Sequence, residues 1–527
     1  MNLNYFKKNK AEIVPIIIIF LYAYFVNRLS ANLGFLSIDT FGFLDPGYSI
    51  LHGKLPIRDF WIFTGLFVDY LEALFLFVFG NNWNSHVLHA SFINILVTLS
   101  FFYFLKKNGL RKIFSLFYAL SFATLCYPVS GTPFAYLHAY TFSLIALMVL
   151  CFAIKNNNYK LWFIIPVIST CSFLSMQTPS IYIIFLIALF AFHFFFKKKN
   201  FKSFKFFVLG ILFSLSMIIL YLIISKTKFE SFLYQYFLFP FSLGEGRMMN
   251  DDLAYLTLKD QLNFKRIFQD FKFIHLFLIP LIFITFRNIQ LKKKNFITIN
   301  SIFIFSSIFF IFNQLLTANQ IFIFSLIPFL AAIIHLNISE QKKSKFFIAS
   351  ILVLVLIVTT KFHVRYNLDR KFHDLENVDK SKAMDASIIH KNLKGLKWVS
   401  QKYPNPIYEI KVIQKAVNII NNDERKIMLI THYNFISTIL GKDLNIMNRW
   451  YLWDNNTHPT ENHKYFNFYK KMVNEKLKKD NIQVIYLLGK KMKFEQIKKN
   501  FTELCFESTS IEAEWFSSHK IIKCGKK

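Results

Sequence analysis

Twelve long apolar runs, many of them closed by clusters of lysine, leave this chain little choice of fold. They lie near residues 12–29, 61–79, 86–105, 113–128, 136–154, 160–176, 180–196, 206–225, 273–288, 297–313, 320–336 and 345–361. A helix that crosses the hydrocarbon of a bilayer needs about 20 largely apolar residues, and these runs are of that order. The chain is 54% hydrophobic with a mean hydropathy of +0.37, too apolar for a soluble globular enzyme. Phenylalanine is abundant at 67 residues. It accompanies frequent Lys, Ile and Asn, in part a genomic composition bias, and carries no functional reading.

The formal charge of +31 does not point to nucleic acid. The lysines sit in short turns between apolar runs, where basic residues set orientation and face anionic lipid. Such turns are Lys106-Lys107 to Arg111-Lys112, Lys155 to Lys160, Lys197 to Lys202, Lys292 to Lys294 and Lys342 to Lys345. Lys7, Lys8 and Lys10 precede the first run with no cleavage pattern after it, which reads as an uncleaved signal anchor. If every run spans, the basic turns fall on alternating sides. If run 61–79 stays outside the bilayer, all of them fall on the cytoplasmic side. That run also carries Asp69 and Glu72 on one helical face, a costly pair in hydrocarbon but a tolerable one on an interfacial helix. The expected fold is a polytopic α-helical membrane protein with about eleven transmembrane helices and external juxtamembrane segments. It divides into a membrane domain at 1–361, with external loops 30–85 and 226–272, and an extracytoplasmic domain at 362–527.

The C-terminal region has a different pattern. Helical periodicity at 411–422 and 462–478 alternates with short β-rich runs near 426–431, 482–488 and 520–524, which predicts a small α/β domain. It contains no Gly-rich phosphate loop, nucleophile elbow or metal-ligand spacing. Cys126, Cys151 and Cys171 lie in apolar runs and read as small core residues. Cys505 and Cys524 can pair if this domain is exported, the alternative being two free thiols.

Chemistry concentrates in the loop after the first run, Ser37-Ile-Asp39-Thr-Phe-Gly-Phe-Leu-Asp45-Pro-Gly-Tyr48 to Gly53-Lys-Leu-Pro56-Ile-Arg58-Asp59-Phe60. Asp45 precedes a turn and a short helix expected at 48–52; an acid there is kept ionised and can serve as a general base. Arg58 can hold a phosphate or can pair with Asp59 or Asp45. The aromatic stretch 232–241 leads to Gly244-Glu245-Gly246-Arg247, an interfacial hinge or a plain connector.

These residues, Asp45-x-Gly-Tyr48 followed by Gly53-x-x-Pro56-x-Arg58-Asp59-Phe60, resemble the first external loop of the GT-C superfamily of membrane glycosyltransferases. The similarity is to bacterial relatives of the protein O-mannosyltransferases and the lipid A aminoarabinose transferases. It covers the N-terminal third, and the rest by topology only. Two positions depart from the family pattern. Its Asp-Glu is Asp45-Pro46 here, and a second acid at the start of the fourth span aligns with His138 in Tyr136-Leu-His138-Ala-Tyr140. The Lys-Pro-Pro that often follows Asp-Phe in this group is replaced by Trp61-Ile-Phe-Thr-Gly.

The resemblance implies transfer of a sugar, with inversion, from a polyprenyl-phosphate donor to an envelope acceptor that is a lipid, glycan or protein, at the outer face of the cytoplasmic membrane. Asp45 and Asp59 are the expected catalytic residues. Asp39, Tyr48, Arg58, His138, Tyr140 and Arg247 are expected to bind substrate. A lipid phosphate leaves without help from a metal; the spacing neither calls for a divalent ion nor excludes one, and no other cofactor is implied. The competing readings are a flippase for lipid-linked saccharides and a non-catalytic scaffold of the same fold.

Overall fold

A computed structural model describes the chain except residues 1–2, 35–36, 128–130, 250–259, 261, 318–320, 340–344, 371–374, 376–377, 401–405, 452–454, 491, 502–503 and 525–527. Helices α1 (Leu3–Ala31), α5 (Trp83–Lys107), α6 (Lys112–Cys126), α7 (Ala135–Asn156), α8 (Tyr159–Ser175), α9 (Gln177–Lys198) and α10 (Phe201–Ile224) join Lys272–Gln290, Lys294–Leu316, Leu326–Ile338 and Lys345–Phe362 in a bundle. Among the described residues, eight helices are long and apolar enough to cross a membrane. That corrects the expected count of about eleven. Helices α6, α8 and Leu326–Ile338 have 15, 17 and 13 residues. At ~1.5 Å per residue they fall short of the ~30 Å hydrocarbon.

The bundle is phenylalanine-packed inside and phenylalanine-studded outside. Phe101 and Phe329 stack at 4.4 Å in its core, whereas Phe192, Phe196 and Phe283 are more than 60% exposed on its surface. A chain in water would not leave such rings uncovered; lipid contact explains them. Trp83 at the start of α5 packs in one cluster with Trp398, and the 25-residue helix carries Lys106 and Lys107 at its other end, about 35 Å away.

Run 61–79 forms the 14-residue helix α4 (Leu66–Phe79). Both its ends lie against C-terminal residues: Arg449 donates to the Thr64 carbonyl before it, and Trp83 just after it packs in one cluster with Trp398. The expected reason for its staying out of the bilayer needs correction. Asp69 and Glu72 are not at an interface but fully buried. Asp69 pairs with Arg449, and Glu72 is 2.7 Å from both His86 and His89. Protein partners, not headgroup water, make these carboxylates tolerable.

The C-terminal sheet has strand order β3-β4-β6-β5, with β3 (Ile427–Thr431) parallel to β4 (Val484–Leu488) and β6 (Phe516–Ile522) antiparallel to both β4 and β5 (Cys505–Glu512). Every residue of β3 and β4 is buried, as in strands covered on both faces. Period-2 alternation sorts them. Ile427, Leu429, Val484 and Tyr486 face helix Pro406–Asn422, while Met428, Ile430, Ile485 and Leu487 face helix Phe466–Lys479. Cys505 and Cys524 are joined in a disulfide across the β5–β6 hairpin.

The loop after the first helix does not hang free beside this domain but is built into its core. Phe41, Leu44, Tyr48, Leu76 and Trp83 share one apolar cluster with Trp398 and Phe435, and Trp61 and Phe239 share another with Tyr469. Main-chain bonds seal the seam: Asp45 N–H to Asn434 O at 3.0 Å and Trp61 N–H to Met447 O at 2.8 Å.

Candidate functional site

The acids of the first loop have separate fates. Asp45 sits in the first turn of α3 (Leu44–Leu51), fully buried. Its carboxylate does not face a cavity. It caps the short helix Ile436–Leu440, accepting from Thr438 N–H at 2.9 Å, Thr438 Oγ1 at 2.7 Å and Ser437 N–H at 3.2 Å. Burial pushes its carboxyl up to about 6 against the pull of these bonds. Tyr48, on the next turn, is buried with its ring 4.2 Å from that of His52. Burial and the nearby Asp443 and Asp45 push its phenol up to about 12.

Arg58 takes the second of its two sequence readings, the ion pair. Its Nε is 2.8 Å from Asp59 Oδ2, and its other nitrogens bond the carbonyls of Ser225 at 2.9 Å and Gly53 at 2.7 Å. Asp59 also accepts from Leu55 N–H at 2.8 Å and Lys479 at 2.7 Å. Burial alone would raise its carboxyl; these donors outweigh it and hold it below the usual range. With every strong group engaged, the node ties the loop to α10 and the C-terminal domain.

Asp39 stands apart. It lies on α2 (Ser37–Thr40) and lines a cavity of about 350 Å³. The walls come from Phe63 and Thr64 after the loop, Phe134 and Tyr136 at the start of α7, and Gln177 and Thr178 at the start of α9. Pro240, Leu243 and Gly244 of α12 (Phe239–Met249), Leu316, Thr317, Phe322 and Asn456 complete them. The cavity therefore opens where the bundle, the loop and the C-terminal domain meet. Asp39 is the only carboxylate among the described residues of this lining. Burial alone acts on its carboxyl, pushing it up to about 6.

Behind Asp39 runs a buried chain of hydrogen bonds. The Thr40 carbonyl accepts from His86 Nε2 at 2.9 Å, and His86 Nδ1 meets Glu72 at 2.7 Å. The other Glu72 oxygen meets His89 Nδ1 at 2.7 Å, His89 Nε2 meets His138 Nε2 at 3.0 Å, and His138 Nδ1 meets the Tyr127 hydroxyl at 2.8 Å. Burial opposes ionisation of Glu72, and the two imidazoles outweigh it, holding the carboxyl down to about 2. Gly47 makes room for this: a Cβ there would stand 2.6 Å from Glu72 Cγ, so only glycine lets α3 cross α4 this closely. His138 is thus a satisfied member of a network rather than a group facing the cavity. Tyr140 bonds Ser325 at 2.9 Å inside the bundle. The Arg247 side chain lies outside the described residues. Its backbone position, three residues after Gly244 and four after Leu243, falls on the stripe of α12 that lines the cavity.

Of the residues expected from the sequence, the structure places Asp39 in the cavity lining, leaves Asp45, Asp59, Arg58, Tyr48, His138 and Tyr140 out of it, and does not describe the Arg247 side chain. The reading of the sequence passed over Thr64, Gln177, Thr178, Thr317 and Asn456, which lie far apart along the chain and in no motif. It also passed over His86 and His89, whose i, i+3 spacing at a helix start was the available signal. Glu72, noted as half of an acidic pair, belongs with them. No known protein family matches this chain, and no curated protein sequence matches it.

Proposed function

We propose that this protein is an integral-membrane glycosyltransferase that takes a sugar from a polyprenyl-phosphate donor, with Asp39 as the general base. One observation carries the reading: a single carboxylate, raised to about 6, lines a cavity of about 350 Å³ walled by aromatic rings and neutral polar groups beside a lipid-facing bundle. Aromatic faces suit the C–H faces of a sugar ring. A carboxyl of this pKa is ionised at neutral pH yet basic enough to accept a proton in the transition state.

Asp39 removes the proton from an acceptor hydroxyl. The oxygen attacks the anomeric carbon from the face opposite the phosphate, the bond between that carbon and the phosphate oxygen breaks, and configuration inverts. The lipid phosphate leaves as an anion, and Arg247, whose backbone lies one helical turn after Leu243 and Gly244, is the residue assigned to receive it. Asp45, Asp59 and Arg58 hold the loop to the C-terminal domain; the chain Thr40–His86–Glu72–His89–His138 fixes the turn that bears Asp39.

The same reading places the protein in the cytoplasmic membrane, basic turns inside and C-terminal domain outside. Support comes from α5, whose Lys106-Lys107 end is opposite the end that packs on that domain, and from the Cys505–Cys524 disulfide, which suits an oxidising compartment.

The test uses full-length protein in nanodiscs with radiolabelled undecaprenyl-phosphate sugars and an envelope fraction as acceptor. Label is expected to move to the acceptor, and Asp39→Asn to stop it. Full transfer by Asp39→Asn removes the base assignment. Movement of donor across sealed vesicles without transfer turns the protein into a flippase.

A further inference from the structure

A second set of polar groups lies at and just behind the wall of the same cavity and has no part in the carboxylate chemistry; Asn313 and Gln314 are outside the lining itself. Tyr136 and Thr317 line the cavity. Gln314 stands one helical turn before Thr317, at the end of helix Lys294–Leu316, with its amide beside the Tyr136 hydroxyl. Asn313 precedes it on the same turn. Tyr136 is 2% exposed and both amides are fully buried. The Tyr136 hydroxyl, and the nitrogen and oxygen of each amide, make no hydrogen bond of normal geometry among the described residues.

Buried polar groups are nearly always paired, because an unmade bond carries the full desolvation penalty. A group that reaches past Tyr136 and Thr317 from the cavity would complete these. The chemistry of the set narrows what that is. Each primary amide presents donors on nitrogen and an acceptor on oxygen, and the phenol does both. A phosphate or carboxylate only accepts; a metal ion or ammonium only satisfies acceptors. A hydroxyl does both, so several hydroxyls on one ring fit the set. Phe322, stacked on Tyr136 at 5.0 Å, adds an apolar face for such a ring.

We propose that Tyr136, Asn313 and Gln314 form the subsite that reads the hydroxyls of the donor sugar, below the carboxylate that activates the acceptor. The proposal rests on the transferase reading above. The lipid tail then runs along the bundle, and sugar identity is decided by side chains of α7 and helix Lys294–Leu316, not by the first loop.

Binding to full-length protein in nanodiscs tests this, with undecaprenyl phosphate compared with a panel of undecaprenyl-phosphate hexoses, pentoses and amino sugars. Wild type is expected to bind one glycosylated lipid at least about ten-fold tighter than the bare phosphate. Gln314→Leu and Tyr136→Phe are expected to erase most of that margin while leaving the bare lipid's affinity unchanged. Without ligand, Gln314→Leu is expected to raise the melting temperature, since it removes an unpaired buried amide. Variants that keep the full margin overturn the subsite, show a floor that is merely hydrated, and leave the transferase reading standing. If wild type shows no preference for any sugar-bearing lipid, the transferase reading fails and the subsite fails with it.

Discussion

Asp39 and Asp45 lie six residues apart on one loop, yet they sit in opposite surroundings. Asp45 sits inside a seam, with both oxygens held by Ser437 and Thr438. Asp39 lines a cavity, with nothing but burial acting on its carboxyl. The two reach about the same elevated pKa by different routes. What separates them is the use of their lone pairs: a carboxylate saturated by backbone N–H groups pins a fold, and one with open lone pairs beside a cavity can accept a proton.

The largest effect that can break this contrast is at Asp39. Asp39→Asn should lower turnover by about 10²–10⁴-fold, the usual worth of a general base, with an unchanged melting temperature. Activity and thermal unfolding measured on one preparation separate the two readouts; a variant that unfolds early makes Asp39 a structural acid like its neighbour.

Next is Arg449, the cation that partners Asp69 across the same seam. Arg449→Ala leaves a buried carboxylate uncompensated and should cost about 3–5 kcal/mol in unfolding experiments. It should also raise protease sensitivity at the junction of bundle and C-terminal domain. Unchanged stability would mean that the apolar clusters alone hold the seam.

Asp45→Ala should cost somewhat less, about 1–3 kcal/mol for the buried Ser437 and Thr438 donors left without an acceptor, and leave turnover per folded molecule within a few-fold of wild type. A loss of turnover comparable to that of Asp39→Asn, at normal stability, would reverse the roles assigned to the two acids. The pH dependence follows from the same pair. Asp39 must be ionised to act, so kcat/KM should rise with pH to a plateau, with a midpoint near 6. Asp45 adds a stability term. Its folded pKa, raised from 3.8 to about 6, means that the folded state holds the proton more tightly than the unfolded one. Its favourable contribution is present below about pH 4 and is lost as pH rises through about 6.

The smallest effect is expected at the Cys505–Cys524 bridge. It links two strands already paired in register, with 19 residues of separation. Double replacement by serine should lower the melting temperature by a few degrees, corresponding to no more than about 3 kcal/mol, without altering turnover. A collapse of activity would tie the hairpin to the cavity.

Some of this architecture is legible in the sequence because the physics that sets it is local. Apolar runs of sufficient length become helices wherever lipid surrounds them, and lysine pairs such as Lys106-Lys107 close them. The runs at 426–431 and 482–488 read as strands and became β3 and β4. Edge strand β5 was not anticipated, since its alternation is half-exposed and weak. The site was far less legible. Asp45 followed by Pro46-Gly47 looks like a helix-capping acid, and it is one, but the helix it caps begins at Ile436. Arg58 beside Asp59 had two readings of equal standing, and Lys479 and the Ser225 carbonyl decided between them.

The sequence by itself determined that this is a polytopic membrane protein with a small α/β appendage, and that the loop after the first helix gathers charge. Only the tertiary structure decided which of those charges are structural. A carboxylate's role depends on which donors reach it, and here they come from residues nearly 400 positions away, delivered when the C-terminal domain packs onto the loop and covers all its acids but one.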